Sequence, residues 1–159
     1  MRMAQVIQVQ TRQRDPNTVT SYDGTPFPPG INARVLAASL KGAKVLNLTK
    51  LGNEVHLDGV VSIQTVVSTD TVFLIEIYRG APSSAGGVLI YQGMEEFFPS
   101  VVPVEPSALW TFVASFTTVD IPNIVGPVEY YLEVVRTLNF QSFIRPPVTF
   151  RGMQIDPTA

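Results

Sequence analysis

The sequence predicts an all-β fold: an antiparallel jelly-roll sandwich of about eight strands with an extended N-terminal arm. Three observations predict it. Val55, Leu57, Gly59, Val61 and Ile63 alternate with Glu54, His56, Asp58, Ser62 and Gln64, the period-two signature of a half-buried strand. Short apolar runs recur along the chain, each bounded by Gly, Pro, Asn or Asp. No stretch holds a 3.6-residue period, and Met94-Glu95-Glu96-Phe97-Phe98 offers one helical turn at most.

Residues 1–34 read as an arm and linker with one potential strand. Gln5-Val6-Ile7-Gln8-Val9-Gln10-Thr11 alternates, with long amides and Thr between apolar residues. Asp15-Pro16-Asn17 and Asp23-Gly24-Thr25-Pro26-Phe27-Pro28-Pro29-Gly30 then stop both helices and central strands. Four arginines (Arg2, Arg12, Arg14, Arg34) against Asp15 and Asp23 give the arm a net +2, which leaves −4 for the rest of a chain of net −2.

Residues 35–156 read as the jelly-roll domain. Val35–Leu40 is a short apolar run ended by Lys41-Gly42, and Lys44–Lys50 follows with Gly52-Asn53 as a turn. After the strand at 54–64, Thr71–Arg79 is rich in β-branched and aromatic residues. Gly80–Gly87 is a loop by composition, and the reading makes it a flexible tip. Val88–Gln92 is short. Trp110, Phe112, Ala114 and Phe116 alternate with Thr111, Val113, Ser115 and Thr117, and Asp120-Ile121-Pro122-Asn123 turns the chain. Val128, Tyr130, Leu132 and Val134 form the next inward face, Arg145-Pro146-Pro147 breaks the pattern, and Val148–Ile155 closes the domain. No internal repeat is present, which disfavours a propeller or solenoid.

Composition narrows the function. The 159 residues suit one domain that folds without staples. The absence of cysteine excludes disulfides, zinc–thiolate and iron–sulfur sites, and cysteine nucleophiles. A net charge of −2 disfavours a nucleic-acid partner. Charged residues are 15% of the chain, below the usual ~25% of a soluble domain. The mean hydropathy is positive. A surface so short of charge is poorly protected against association, so part of it is expected to be covered by sister subunits. No apolar run spans a membrane. The N-terminus lacks the apolar core of a signal peptide, so synthesis in the cytosol is expected, with later deposition on a spore or virion surface.

The second half carries a resemblance. Trp110–Thr118, Asp120-Ile121-Pro122, Gly126-Pro127-Val128-Glu129-Tyr130-Tyr131-Leu132-Glu133-Val134 and Val148–Ile155 together resemble the last three strands of C1q/TNF-like jelly rolls. Val55–Arg79 is compatible with the paired strands before them, so the resemblance spans about 35–156. Such domains occur in bacterial spore-surface proteins, spore appendage subunits and phage fibre tips. The chain has neither their collagen-like stalk nor the cysteines of the best-known appendage subunits. The resemblance implies a homotrimer or filament whose function is assembly and adhesion.

Candidate chemistry is sparse. His56, the single histidine, would share a strand face with Glu54 and Asp58 at ~7 Å intervals, which converges poorly on one metal ion. A Ser-His-Asp triad would have to use His56, and no Gly-x-Ser-x-Gly elbow is present. Glu95 and Glu96 point apart if extended, and Gly80–Gly87 has no Lys or helix with which to cradle phosphate. Glu129 and Glu133 flank Tyr131 on one strand face, as in a sugar-binding surface or an ordinary subunit contact. No catalytic residue, cofactor or metal ligand set is assigned, and the chain is not read as an enzyme. Arg79, Arg136, Arg145 and Arg151 are expected to pair with Glu76, Glu129 or Glu133 within or across subunits.

The leading functional expectation is a self-assembling structural subunit. Its partner is itself, joined by edge-strand or arm contacts through Val6, Ile7 and Val9 with Phe27 as an anchor. An alternative is a carbohydrate- or receptor-binding tip using exposed Tyr22, Tyr78, Tyr91 and Tyr131. A third is a single-jelly-roll capsid protein, although the arm is too weakly charged to package nucleic acid.

Overall fold

The computed structural model describes residues 4–13, 24–66, 71–97 and 109–158. The strands are β1 (Gln5–Gln13), β2 (Thr25–Pro26), β3 (Ala33–Leu40), β4 (Leu46–Leu48), β5 (Glu54–Val66), β6 (Thr71–Arg79), β7 (Val88–Phe97), β8 (Leu109–Asp120), β9 (Gly126–Val128), β10 (Tyr130–Arg136) and β11 (Ser142–Asp156). Eight of them are long, and β2, β4 and β9 are short. Among the described residues no helix is long and apolar enough to cross a membrane.

Two antiparallel sheets form the sandwich. The larger runs β1-β11-β5-β8, and the smaller runs β3-β10-β6-β7. A third, two-stranded piece pairs β4 with β9. The pairings nest: β1 with β11, β3 with β10, β5 with β8, β6 with β7. Successive pairs alternate between the two sheets. Nested pairs that alternate sheets are one long antiparallel ribbon wound around a barrel axis, which is a jelly roll.

The alternation read from the sequence sets the faces. Val55, Leu57, Val61 and Ile63 of β5 are fully buried between the sheets. They meet Phe73, Ile75 and Ile77 from β6 and Tyr130, Leu132 and Val134 from β10. Phe73 joins Phe27, Phe112 and Phe140 at ring separations of 5.5–5.8 Å. Ring geometry of this kind adds a little beyond burial alone.

Polar latches close both ends. At one, Arg79 Nη1 donates to both oxygens of Asp120 at 2.8 and 2.9 Å, and the Tyr130 hydroxyl donates to the same carboxylate at 2.9 Å. This ties β6 and β10 of one sheet to β8 of the other. Burial and the adjacent Asp120 charge push the Tyr130 phenol far up, so it stays a donor. At the other end Arg136 lies over the rings of Phe27 and Phe140, 5.5 Å from each centroid. It donates to the carbonyls of Pro28, Gly30 and Phe140.

Several local expectations need correction. Pro146 and Pro147 do not break the last strand: β11 runs through them, and its register on β5 shifts between Arg145 and Val148. Proline has no N–H for the ladder, and a bulge is where a sheet tolerates it. The helical turn at Met94–Phe98 is absent up to Phe97, because β7 continues to that residue. Gly80–Gly87 is not a free tip. Ser83 sends its N–H and hydroxyl to Glu133, and Gly80 N–H donates to the Glu129 carbonyl.

Gly59 sits where three strands crowd. A Cβ there would lie 2.1 Å from the Thr149 carbonyl oxygen and 2.8 Å from Phe116 Cζ. The first of these atoms is backbone in a paired strand and cannot step aside. Gly59→Ala is therefore expected to destabilise the domain by about 3 kcal/mol. Urea unfolding of the two proteins side by side measures it, and equal midpoints would refute the crowding.

Candidate functional site

The arm strand lies on the edge of its own chain's larger sheet. β1 pairs antiparallel with β11, Val6 opposite Ile155 and Val9 opposite Met153. β2 takes a further stretch of the same side of β11. Val6 and Val9 are 53% and 49% exposed, and Ile7 lies between them in β1. Phe27 is buried in the core of its own sandwich, and its N–H donates to the Ser142 carbonyl at 3.0 Å.

The strand register builds the outer face of this sheet row by row. One row crosses all four strands as Val9, Met153, His56 and Val119. The next holds Thr11, Arg151, Asp58 and Thr117, and the one after it Thr149, Val60 and Ser115. Val113 stands further along β8, opposite Ser62. Val113 and Val119 are 57% and 49% exposed.

The polar side chains on this face make local contacts. Arg151 Nη2 meets Asp58 at 2.9 Å, and His56 Nε2 meets Glu54 at 2.9 Å. The Arg145 guanidinium rests 5.6 Å from the Phe143 ring centroid. Exposed pairs of this kind add little stability. The expected Glu54-His56-Asp58 set is divided, because Asp58 turns to Arg151.

The edges of the two sheets differ. β8 holds twelve residues, Leu109–Asp120, with no Gly or Pro and no charge before Asp120. Among the described residues no strand pairs with its outer edge. β7, at the edge of the smaller sheet, carries Glu95, Glu96, Gly93 and a register irregularity. Charges and irregularities are what protect an edge from pairing, and β8 has neither over most of its length.

The smaller sheet uses its charges internally. Glu76 and Glu133 stand directly opposite each other on β6 and β10, 2% and 4% exposed. Like charges in that position repel. Arg34 of β3 donates to both. Gln92 adds a 2.7 Å bond and Tyr78 a 2.8 Å bond to Glu76, while Ser83 takes both oxygens of Glu133. Burial alone would raise the Glu76 pKa, but the hydrogen bonds from Arg34, Gln92 and Tyr78 outweigh it and hold the carboxyl below its ordinary range. Every oxygen of the pair accepts at least one hydrogen bond, so the two carboxylates are held in a fixed network.

This network corrects two expectations. Glu76 and Glu133 share Arg34 of the N-terminal segment, whereas Arg79 and Arg151 pair with Asp120 and Asp58. Arg136 has carbonyls and rings around it in place of a carboxylate. The aromatics offered for sugar binding are not displayed. Tyr78 and Tyr131 are buried, with hydroxyls bonded to Glu76 and Glu129, and Tyr91 packs 6.2 Å from Phe116. Tyr22 lies outside the described residues. The alternation at 54–64 located the outer face, but nothing local in the sequence marked Arg34 or Asp120.

No family model matches the chain, and no curated protein matches it. Among solved structures it is similar to Eiger TNF from S. frugiperda, with a TM-score of 0.36 and 15% identity over 99% of this chain and 94% of that one. It is also similar to the enzymatically active domain of tailspike protein 4 from bacteriophage CBA120, with a TM-score of 0.33 and 13% identity over 93% of this chain but 18% of that one. The jelly-roll assignment rests on the nested strand pairs.

Two outcomes test the buried network. Arg34→Met leaves two opposed carboxylates uncompensated and is expected to cost about 2 kcal/mol, the low side for a broken ion pair because the Arg34 end is partly solvated. Equal urea midpoints for the two proteins would contradict it. The second concerns pH. A carboxyl lowered in the folded state stabilises fully above its unfolded pKa of about 4.3 and loses that contribution as the pH falls through the folded value. Stability measured from pH 7 to pH 3 should therefore fall less steeply for Glu76→Gln, and identical slopes would contradict the role of Glu76.

Proposed function

We propose that the chain is a self-assembling structural subunit of a surface layer, appendage filament or trimeric fibre, deposited on a spore or virion surface in the manner of C1q/TNF-like proteins. The observation that carries this reading is the outer face of the larger sheet. It joins exposed Val6, Val9, Val113 and Val119 to the unprotected edge of β8. Exposed valines along both edges of a face that is otherwise mainly Thr, Ser and locally paired polar groups, bordered by an open strand edge, suit a subunit contact.

The strand directions supply a mode of joining. β1, β11, β5 and β8 alternate in direction, so β1 and β8 run opposite ways at the two edges of one sheet. A second copy set alongside continues the alternation, with its β1 antiparallel to β8 of the first. Such a head-to-tail contact propagates into a filament, or closes into a ring if the rotation permits. Val6, Ile7 and Val9 are then the arm's contribution, and Phe27 secures the arm to its own body. No chemical step is assigned to this surface.

Val113→Lys combined with Val119→Lys tests the reading. Both side chains are exposed, so the fold and its circular dichroism should be unchanged. Lysine on an edge and an apolar face opposes pairing. Sedimentation should show the assembly reduced to smaller species. An unaltered assembly would rule out this face.

A further inference from the structure

At the end of the sandwich closed by Arg79 and Asp120, the β6–β7 and β8–β9 connections enclose a cleft of about 410 Å³. Val88, Ile124 and Pro127 form its apolar walls, and Arg79 and Glu129 supply its charges. The volume is at the low end of ligand sites, which run from ~300 to 1,000 Å³, and suits one or two side chains.

The two charges are not equivalent. Arg79 is matched by Asp120, whose oxygens also take the Tyr130 hydroxyl. Glu129 accepts from the Tyr131 hydroxyl through Oε2, and among the described residues no cation pairs with it and Oε1 has no donor. The bond to Glu129, together with burial, pushes the Tyr131 phenol up to about 12 and keeps it a donor. The cleft therefore holds one carboxylate without a direct ion pair, the Lys41 ammonium standing 6.0 Å from the ring centroid of the Tyr131 that binds it.

That arrangement selects a ligand chemistry. An anion would have to compete with Asp120 for Arg79. A guanidinium gains most from two carboxylate oxygens, and one of those of Glu129 is already occupied. A lysine side chain meets both demands, laying its methylenes on the walls and placing a compact ammonium on Oε1. The surroundings indicate how it would be delivered. Leu51, Val88, Leu89, Ile121, Ile124 and Val125 share this end of the sandwich and are 44–64% exposed. Exposed apolar residues at the same end as the cleft, two of them (Val88 and Ile124) in its walls, fit a protein surface better than a free amine.

We propose that this end of the sandwich docks a partner protein by seating a lysine side chain in the cleft, with its ammonium on Glu129 and apolar contacts around it. This surface lies apart from the outer face of the larger sheet, and the inference does not depend on assembly.

The test is fluorescence anisotropy of a labelled acetyl-Leu-Lys-Leu-amide peptide with the full-length chain, alongside peptides carrying Arg, norleucine or Glu at the centre. The lysine peptide should bind tightest. Glu129→Gln still accepts from Tyr131 and should weaken that binding about tenfold, the cost of losing a charged hydrogen bond. Ile124→Ala, at an exposed wall, should weaken the lysine and norleucine peptides alike. Equal binding of the lysine and norleucine peptides, preference for the Arg or Glu peptide, or unchanged affinity in Glu129→Gln would each overturn the proposal.

Discussion

The pairing of β5 with β11 is the contact on which the rest of the molecule depends. It brings the closing strand of the chain into the middle of the larger sheet, Ser142 opposite Thr65 and Ile155 opposite Glu54. With β11 in place, β1 and β2 have a side to join, and β8 completes the sheet on the far side of β5. The other strands fall inside this frame as nested pairs. Loop closure over such sequence distances is costly in entropy, and the burial of Val55, Leu57, Val61, Ile63, Val148 and Phe150 offsets it. Gly59 permits the approach, because any side chain there would meet the Thr149 backbone.

A chain with few charges has buried Glu76, Asp120, Glu133 and Arg136 and set Arg34 and Arg79 against them. Arg34, Glu76 and Glu133 hold three strands of the smaller sheet, and Arg79 with Asp120 fastens one sheet to the other. Arg136 binds two loops at the opposite end without any carboxylate. On the outer face of the larger sheet valine, threonine and serine predominate, with Arg151 paired to Asp58 and His56 bonded to Glu54. The division matters for function. The smaller sheet is closed by its network and by the pinned 80–87 loop, whereas the larger one offers a face and an edge. Glu129, beside the latch but outside its pairing, is the exception at the tip.

What was legible in the sequence follows from the range of the interactions. The inward face of β5 and the alternation of Trp110–Phe116 in β8 could be read because period two is a local property. Strands were harder where a local signal competed with a distant partner. Pro146 and Pro147 resemble a stop, yet β5 on one side and β2 near the start of β11 carry the strand past them. Met94–Phe97 lacks clean alternation, and β6 holds it as a strand. The ion pairs were not legible at all. Arg34 and Glu133 meet across 99 residues of chain, and register alone decides which carboxylate an arginine finds. For the same reason Tyr78 and Tyr131 seemed available when their hydroxyls were already bonded.

The central claim is that the outer face of the larger sheet is a subunit contact. The most direct test is the mass of the unmodified full-length chain in solution by light scattering, with negative-stain electron microscopy of the same sample. The account predicts a mass several times that of one chain, as filaments or as discrete oligomers. A monomer's mass at every concentration, with no ordered particles in the images, would contradict it.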